Sequence, residues 1–119
     1  MDEHREVKIT PDRYVTYRYA GASLDFNPIH LDDEFARSVG LPGKILHGLW
    51  TMAQVARVHT EAAGDPLALK SLSVQFRGLG VPEREITITS KRQEDGSFAC
   101  EAVQDQNKLV RRGRAVLKL

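Results

Sequence analysis

The 119 residues suffice for one domain with one hydrophobic core and are too few for two that would each fold alone, so 1–119 is read as a single unit. Hydrophobic residues make up 41% and charged ones 28%, with a formal net charge of +1, which excludes a disordered chain and gives no electrostatic reason to expect nucleic acid. Cys100 is the single cysteine and cannot form an internal disulfide, and no apolar run nears the ~18 residues of a membrane span. The charged start "MDEHREVKIT" lacks the apolar stretch of a signal peptide, so a reducing, cytoplasmic location is the expectation.

In "REVKIT", Val7 and Ile9 alternate with polar residues and predict a short strand. Thr10 then offers an N-cap and Pro11 a first helical position, predicting a helix through "PDRYVTYRYAGAS" that ends near Gly21. The next stretch, "SLDFNPIH", sets Asp25, Asn27 and His30 around Pro28. Residues five apart lie ~140° apart on a helix and on opposite faces of a strand, so Asp25 and His30 converge only across irregular backbone. Asn27 as cap and Pro28 as first helical residue supply that break, with His30 third in the turn. "LDDEFARSVG" spaces Leu31, Phe35 and Val39 as one face of a short helix stopped by Gly40. Residues 45–58, "ILHGLWTMAQVARV", are apolar on nearly every face and predict a helix buried all round, ended by Gly64 and Pro66.

Beyond Leu67 the period becomes two. Leu72, Val74 and Phe76 alternate in "SLSVQF", Ile86 and Ile88 in "EITITS", and Asp95-Gly96 supplies a hairpin turn into "FACEAV". A turn near "DQNK" leads to a last strand whose Ala115, Leu117 and Leu119 share one face. The sheet needs an apolar cover, and helix 48–63 is the only element apolar enough. The predicted class is α+β, a curved antiparallel sheet wrapped around a long buried helix.

A carboxylate that takes a proton from water beside an imidazole that donates or accepts one suits general acid–base chemistry, although an Asp or Asn before proline is often only a turn and cap. Gly48 opens the apolar helix. Its free N–H, with the helix dipole behind it, suits a carbonyl oxygen gaining negative charge, while close helix–sheet packing accounts for a glycine there equally well.

"YAGASLDFNPIHLDDEFARSVG" followed by "HGLWTMAQVARV" resembles the MaoC-like, or hydratase 2, family of single hot-dog-fold (R)-specific enoyl-CoA hydratases and 3-hydroxyacyl-thioester dehydratases. The likeness is dense over 19–58 and D-x-N-P-x-H is its specific core. It implies that Asp25 and His30 form a dyad around one water, that the Gly48 amide polarises the thioester carbonyl, and that Asn27, His47, Leu24 and Trp50 contact substrate. It further implies no cofactor beyond the CoA or carrier-protein thioester that is the substrate. Two units are expected to pair as a homodimer or dimer-based oligomer, or with a hot-dog partner subunit, leaving the acyl tunnel at their interface. Leu24 departs from the family, where glycine usually precedes the aspartate; "FRGLGVPEREI" lacks the usual proline-then-Gly-Asp approach to the next strand; and the N-terminus is short.

His47, His30 and nearby acids raise a metal site, but a spacing of seventeen without Cys or H-x-x-x-H argues for no metal. Arg111, Arg112 and Arg114 either meet an acidic group of the substrate or form a solvated strand face. Trp50 and Met52 line a pocket or fill the core, His59 sits near a helix end where the dipole favours it, and His4 is expected exposed. Three functions are compatible with these residues: a hydro-lyase acting on a 2-enoyl or 3-hydroxyacyl thioester, a hot-dog thioesterase, and a non-catalytic acyl-thioester-binding subunit.

Overall fold

The computed structural model describes residues 3–118. In chain order it contains β1 (His4–Ile9), α1 (Val15–Ser23), a 3₁₀ turn (Pro28–His30), α2 (Asp33–Ser38), α3 (Gly48–Ala63), β2 (Leu69–Phe76), β3 (Ile86–Arg92), β4 (Phe98–Gln104) and β5 (Asn107–Leu117). The five strands form one antiparallel sheet in the order β1-β3-β4-β5-β2, with β1 and β2 at its edges.

Alternation sets which face is dry. Ile86 and Ile88 of β3, Ala102 of β4, and Val110 and Ala115 of β5 are fully buried, and Val55 and Val58 of α3 pack with this group. The sheet bends around α3 where β5 bulges. Arg112 takes φ 50, and a Cβ on neighbouring Gly113 would stand 2.6 Å from both the carbonyl oxygen and Sγ of Cys100, so only glycine fits. The hairpin turns follow their chemistry: Gly96 takes φ 86 beside Asp95, and Asp105 and Gln106 both take positive φ. This is the sheet-around-helix arrangement of a hot-dog domain.

Several expectations are corrected. α1 begins at Val15, because the Asp12 carboxylate accepts from the Tyr14 N–H at 2.7 Å and pairs with Arg18, holding 11–14 in a turn. It runs past Gly21 to Ser23 and closes at Leu24, whose N–H donates to the Ala20 carbonyl at 2.8 Å. On α2 only Ala36 is buried, while Phe35 and Val39 are exposed. α3 is not buried all round: Thr51, Val55, Val58 and His59 face inward, but Leu49 is 60% exposed, since one sheet covers only one side of a helix. Phe76, read as a buried strand residue, is exposed.

His59 lies near the end of α3 as expected, but more than the dipole holds it. It is fully buried, its Nδ1 2.8 Å from the Val55 carbonyl and its Nε2 2.8 Å from Ser90 Oγ. Arg111 bonds Gln75 and Arg114 pairs with Asp95, the solvated-face reading of those cations. Ala115 is buried and Leu117 half-buried as expected, and Leu119 lies outside the described residues. Among the described residues no helix is long and apolar enough to cross a membrane.

Candidate active site

The 3₁₀ turn forms as its sequence dictates. The Asn27 side chain accepts from the Ile29 N–H at 3.2 Å, Pro28 takes the first position, and His30 comes third and buried. The loop before α3 is fastened at three points. Asp33 accepts from the Lys44 N–H at 2.8 Å, the Ile45 N–H donates to the Ile29 carbonyl at 3.1 Å, and the Leu46 N–H donates to the Gly80 carbonyl at 2.8 Å. Lys44 thereby holds the Asp33 carboxyl below the usual range, its backbone N–H being the largest cause.

So fastened, Ile45 turns its carbonyl to His30, whose Nδ1–H donates to it at 2.8 Å. That contact fixes the tautomer and leaves Nε2 as the working atom. Nε2 stands 3.9 Å from Oδ2 of Asp25. The gap is too long for a direct hydrogen bond and suits one bridging water. Asp25 is half-exposed, and its other oxygen accepts from the Asn27 N–H at 3.3 Å. Leu24 places it: φ 65 and ψ 20 are a left-handed conformation where glycine is at home, and the leucine side chain is 76% exposed.

His47 touches both members of this pair. Its ring stacks on His30 with centroids 3.8 Å apart and planes 18° apart, and its Nε2–H donates to the Asp25 backbone carbonyl at 3.1 Å. Tyr19 closes another side at 4.8 Å. Burial pushes the His47 pKa down, against the Asp25 carbonyl contact that favours its charge. Only 3% exposed, it holds the pair in place and is not offered to solvent.

Gly48 is the first residue of α3, with His47 as N-cap. The Trp50 and Thr51 N–H groups turn back to the His47 carbonyl, and among the described residues the Gly48 and Leu49 N–H groups have no hydrogen-bond partner. A Cβ on Gly48 would meet the Phe76 ring at 3.2 Å, so close packing and an accessible amide both call for glycine. Gly48 and His30 line one pocket of about 200 Å³ with Thr51, Phe76, Leu79 and Leu109. A larger cleft of about 440 Å³, lined by Arg37, Lys44, Arg84 and Asp105 among others, shares only Leu79 with it and holds none of the acid–base residues. The smaller pocket is therefore the chemical one.

The other expected contacts fall elsewhere. Asn27 acts as the cap of the turn, and Trp50 packs on the core beside clefts lined by Val15 and Arg18, away from the Gly48 pocket. Asp25, His30 and His47 do bring ligand atoms within 4.8 Å of one another, so the sequence spacing of seventeen was no barrier to a cluster. Their geometry still suits acid–base work better. His30 Nδ1 and His47 Nε2 already bond the Ile45 and Asp25 carbonyls, and His30 Nε2 faces Asp25 across a gap that one water fits. Sequence reading missed the Ile45 carbonyl and Phe76; backbone oxygens leave no trace in residue identity, and Phe76 read as one more core position.

The family model of the MaoC like domain matches residues 1–112. The chain belongs to the MaoC-like domain family. Enoyl-CoA hydratase 2, peroxisomal, from Arabidopsis thaliana is 41% identical over 73 residues, covering 60% of this chain and 23% of the relative. A fatty acid synthase subunit beta from Aspergillus oryzae is 40% identical over 78 residues, covering 63% of this chain and 4% of the relative. The crystal structure of a MaoC-like dehydratase from Phytophthora capsici superposes with a TM-score of 0.88 at 27% identity, covering 96% of this chain and 40% of that one. This MaoC-like domain thus spans a minor part of those longer proteins.

Proposed function

We propose that this domain catalyses the reversible addition of water across the 2,3 double bond of a 2-enoyl thioester, giving the (R)-3-hydroxyacyl thioester. The observation that carries the reading is the 3.9 Å gap between His30 Nε2 and Asp25 Oδ2, with His30 lining the same pocket as Gly48, whose N–H is unpaired among the described residues.

In the hydration direction the Asp25 carboxylate takes one proton from the bridging water, and that water's oxygen forms the new bond to C3. The electron pair of the double bond moves through C2 onto the thioester oxygen, where the Gly48 N–H and the α3 dipole stabilise the enolate. His30, which begins the cycle with a proton on each ring nitrogen, then gives its Nε2 proton to C2, collapsing the enolate to the product thioester and leaving the ring neutral. The proton held by Asp25 returns to His30 through the next water in the same gap. His30 keeps its orientation throughout because Nδ1 stays bonded to Ile45. The substrate carries its own CoA or carrier-protein arm, so the chemistry calls for no cofactor or metal.

The relatives' names support the hydratase direction. The expected pairing of two units agrees with two features here, the outer edge of β2, unpaired among the described residues, and the exposed Leu24, Phe26 and Leu49 around the site. A homodimer, or a pair with another hot-dog subunit, covers both, and sedimentation at micromolar concentration reads its mass. Burial pushes the lone Cys100 thiol up to about 11, which keeps it protonated and unreactive.

The test follows the enoyl-thioester absorbance band with C4 to C16 2-enoyl-CoA substrates alongside a free-thiol readout. Loss of the band without thiol release supports the proposal. Thiol release would make the domain a thioesterase, and silence at every chain length would make it a binding subunit.

A further inference from the structure

Phe76 closes β2, and its aromatic ring rests on the first residue of α3. Two of its ring carbons lie 3.2 and 3.3 Å from where a Cβ of Gly48 would stand, tighter than an ordinary contact, so a side chain there would push on the ring. The same ring lines the pocket that contains His30. It is 51% exposed, so no core packing fixes its rotamer. Leu79, 49% exposed, is the only other half-open apolar wall of that pocket; Ile45, Leu46 and Leu109 are buried and fixed.

Two facts then meet. The pocket holds about 200 Å³, below the ~300–1,000 Å³ usual for sites that enclose a small molecule. Gly48 and Phe76 line the same pocket, so a thioester held at the Gly48 N–H has the Phe76 ring among its neighbours. The ring is thus a half-exposed wall along which an acyl chain leaving that thioester can lie.

We propose that Phe76 is the specificity-determining wall of the site, a half-exposed ring that restricts the pocket to short acyl chains. The proposal rests on the hydratase reading and deepens it to a substrate class, the short-chain 2-enoyl thioesters. The buried residues Thr51 and Leu109 form the fixed floor, and the ring sets the length limit.

The experiment measures kcat/KM for hydration of 2-enoyl-CoA substrates from C4 to C12 with the wild type and the Phe76→Ala, Phe76→Leu and Phe76→Trp variants. Circular dichroism and sedimentation are recorded for each. The wild type is expected to prefer C4 to C6. Because one methylene in a hydrophobic pocket is worth ~10-fold or more, Phe76→Ala should raise the C8-to-C4 ratio of kcat/KM at least ~10-fold over wild type, with Phe76→Leu between and Phe76→Trp lower than wild type. A ratio within about threefold of wild type in all folded variants, far below that ~10-fold step, would overturn the proposal. A change in sedimenting mass without a change in ratio would also overturn it and assign the ring to a subunit contact. A wild type silent at every length would overturn the hydratase reading and this proposal with it, and is distinct from an active wild type whose variants keep its profile.

Discussion

His47 lies face to face with His30 and at the same time donates its Nε2–H to the backbone carbonyl of Asp25. One neutral imidazole thus clamps both members of the acid–base pair without reaching solvent. Small displacements are costly in such a site, where a shift of ~1 Å takes ~10²-fold from the rate. His47→Ala should therefore lower kcat by about that ~10²-fold factor and move KM by less than ~threefold, since ground-state binding is not its task. His47→Gln keeps an N–H for the Asp25 carbonyl and should recover part of the loss. Equal effects on kcat and KM, with no recovery by glutamine, would count against the clamp. Steady-state kinetics on the three proteins decides.

Gly48→Ala separates two costs. The added methyl meets the Phe76 ring at 3.2 Å, but that ring is half-exposed and can yield, so the packing cost should stay near the low end of ~1–3 kcal/mol. Loss of an oxyanion donor costs ~10²–10³ in rate. Single-turnover hydration of crotonyl-CoA, at a temperature where circular dichroism shows the variant folded, should fall by at least ~10²-fold. A rate within about threefold of wild type, far from that donor effect, would remove Gly48 from the mechanism.

Leu24 carries backbone strain that its side chain does not offset within the chain. A left-handed residue with a Cβ costs roughly 1–2 kcal/mol, and the leucine is 76% exposed. Leu24→Gly should raise stability by about 1 kcal/mol, or about 4 °C in Tm, while Leu24→Ala should gain nothing because the Cβ remains. Thermal unfolding of the three proteins tests this, and an alanine variant as stabilised as the glycine variant would contradict it.

Burial pushes the pKa of His59 below its ordinary value of 6.5. The unfolded chain therefore binds a proton at this residue at a pH where the folded chain does not, and stability falls with acidification. The contribution is complete above about 6.5 and is lost progressively as pH drops below it. His59→Gln, which can still bond Ser90, should show a smaller drop in Tm between pH 7.5 and about 5.5 than wild type. A drop of the same size would place the acid sensitivity elsewhere. Asp95 adds a second, more acidic window: Ser97 is the main cause of its carboxyl being lowered to about 2, so its stabilising interactions fade only as pH falls from 3.8 toward that value.

What was legible in the sequence was what local rules decide. Asn27-Pro28 specified a capped turn because one side chain and one fixed φ suffice. Period-two alternation specified β3, β4 and β5 because each has one dry face. The start of α1 was not legible, since Asp12 competes for the backbone that Thr10 and Pro11 would otherwise have turned into helix. The all-round burial expected of α3 failed because periodicity reports apolarity and not how many layers cover it. In the site, Asp25 and His30 could be paired from the turn between them, but His47 joins them through chain fastening at Lys44, Ile45 and Leu46 that no spacing encodes.

The central claim is that Asp25 and His30 act on one shared water, and a double-mutant cycle tests it most directly. Single-turnover hydration of crotonyl-CoA is measured for wild type, Asp25→Asn, His30→Ala and the double variant, each shown folded. If one water serves both groups, each single change should cost at least ~10²-fold, and the double variant should be no more than about threefold slower than the slower single. Losses that multiply, taking the double variant to ~10⁴-fold or below, would show two independent contributions and contradict the shared-water mechanism.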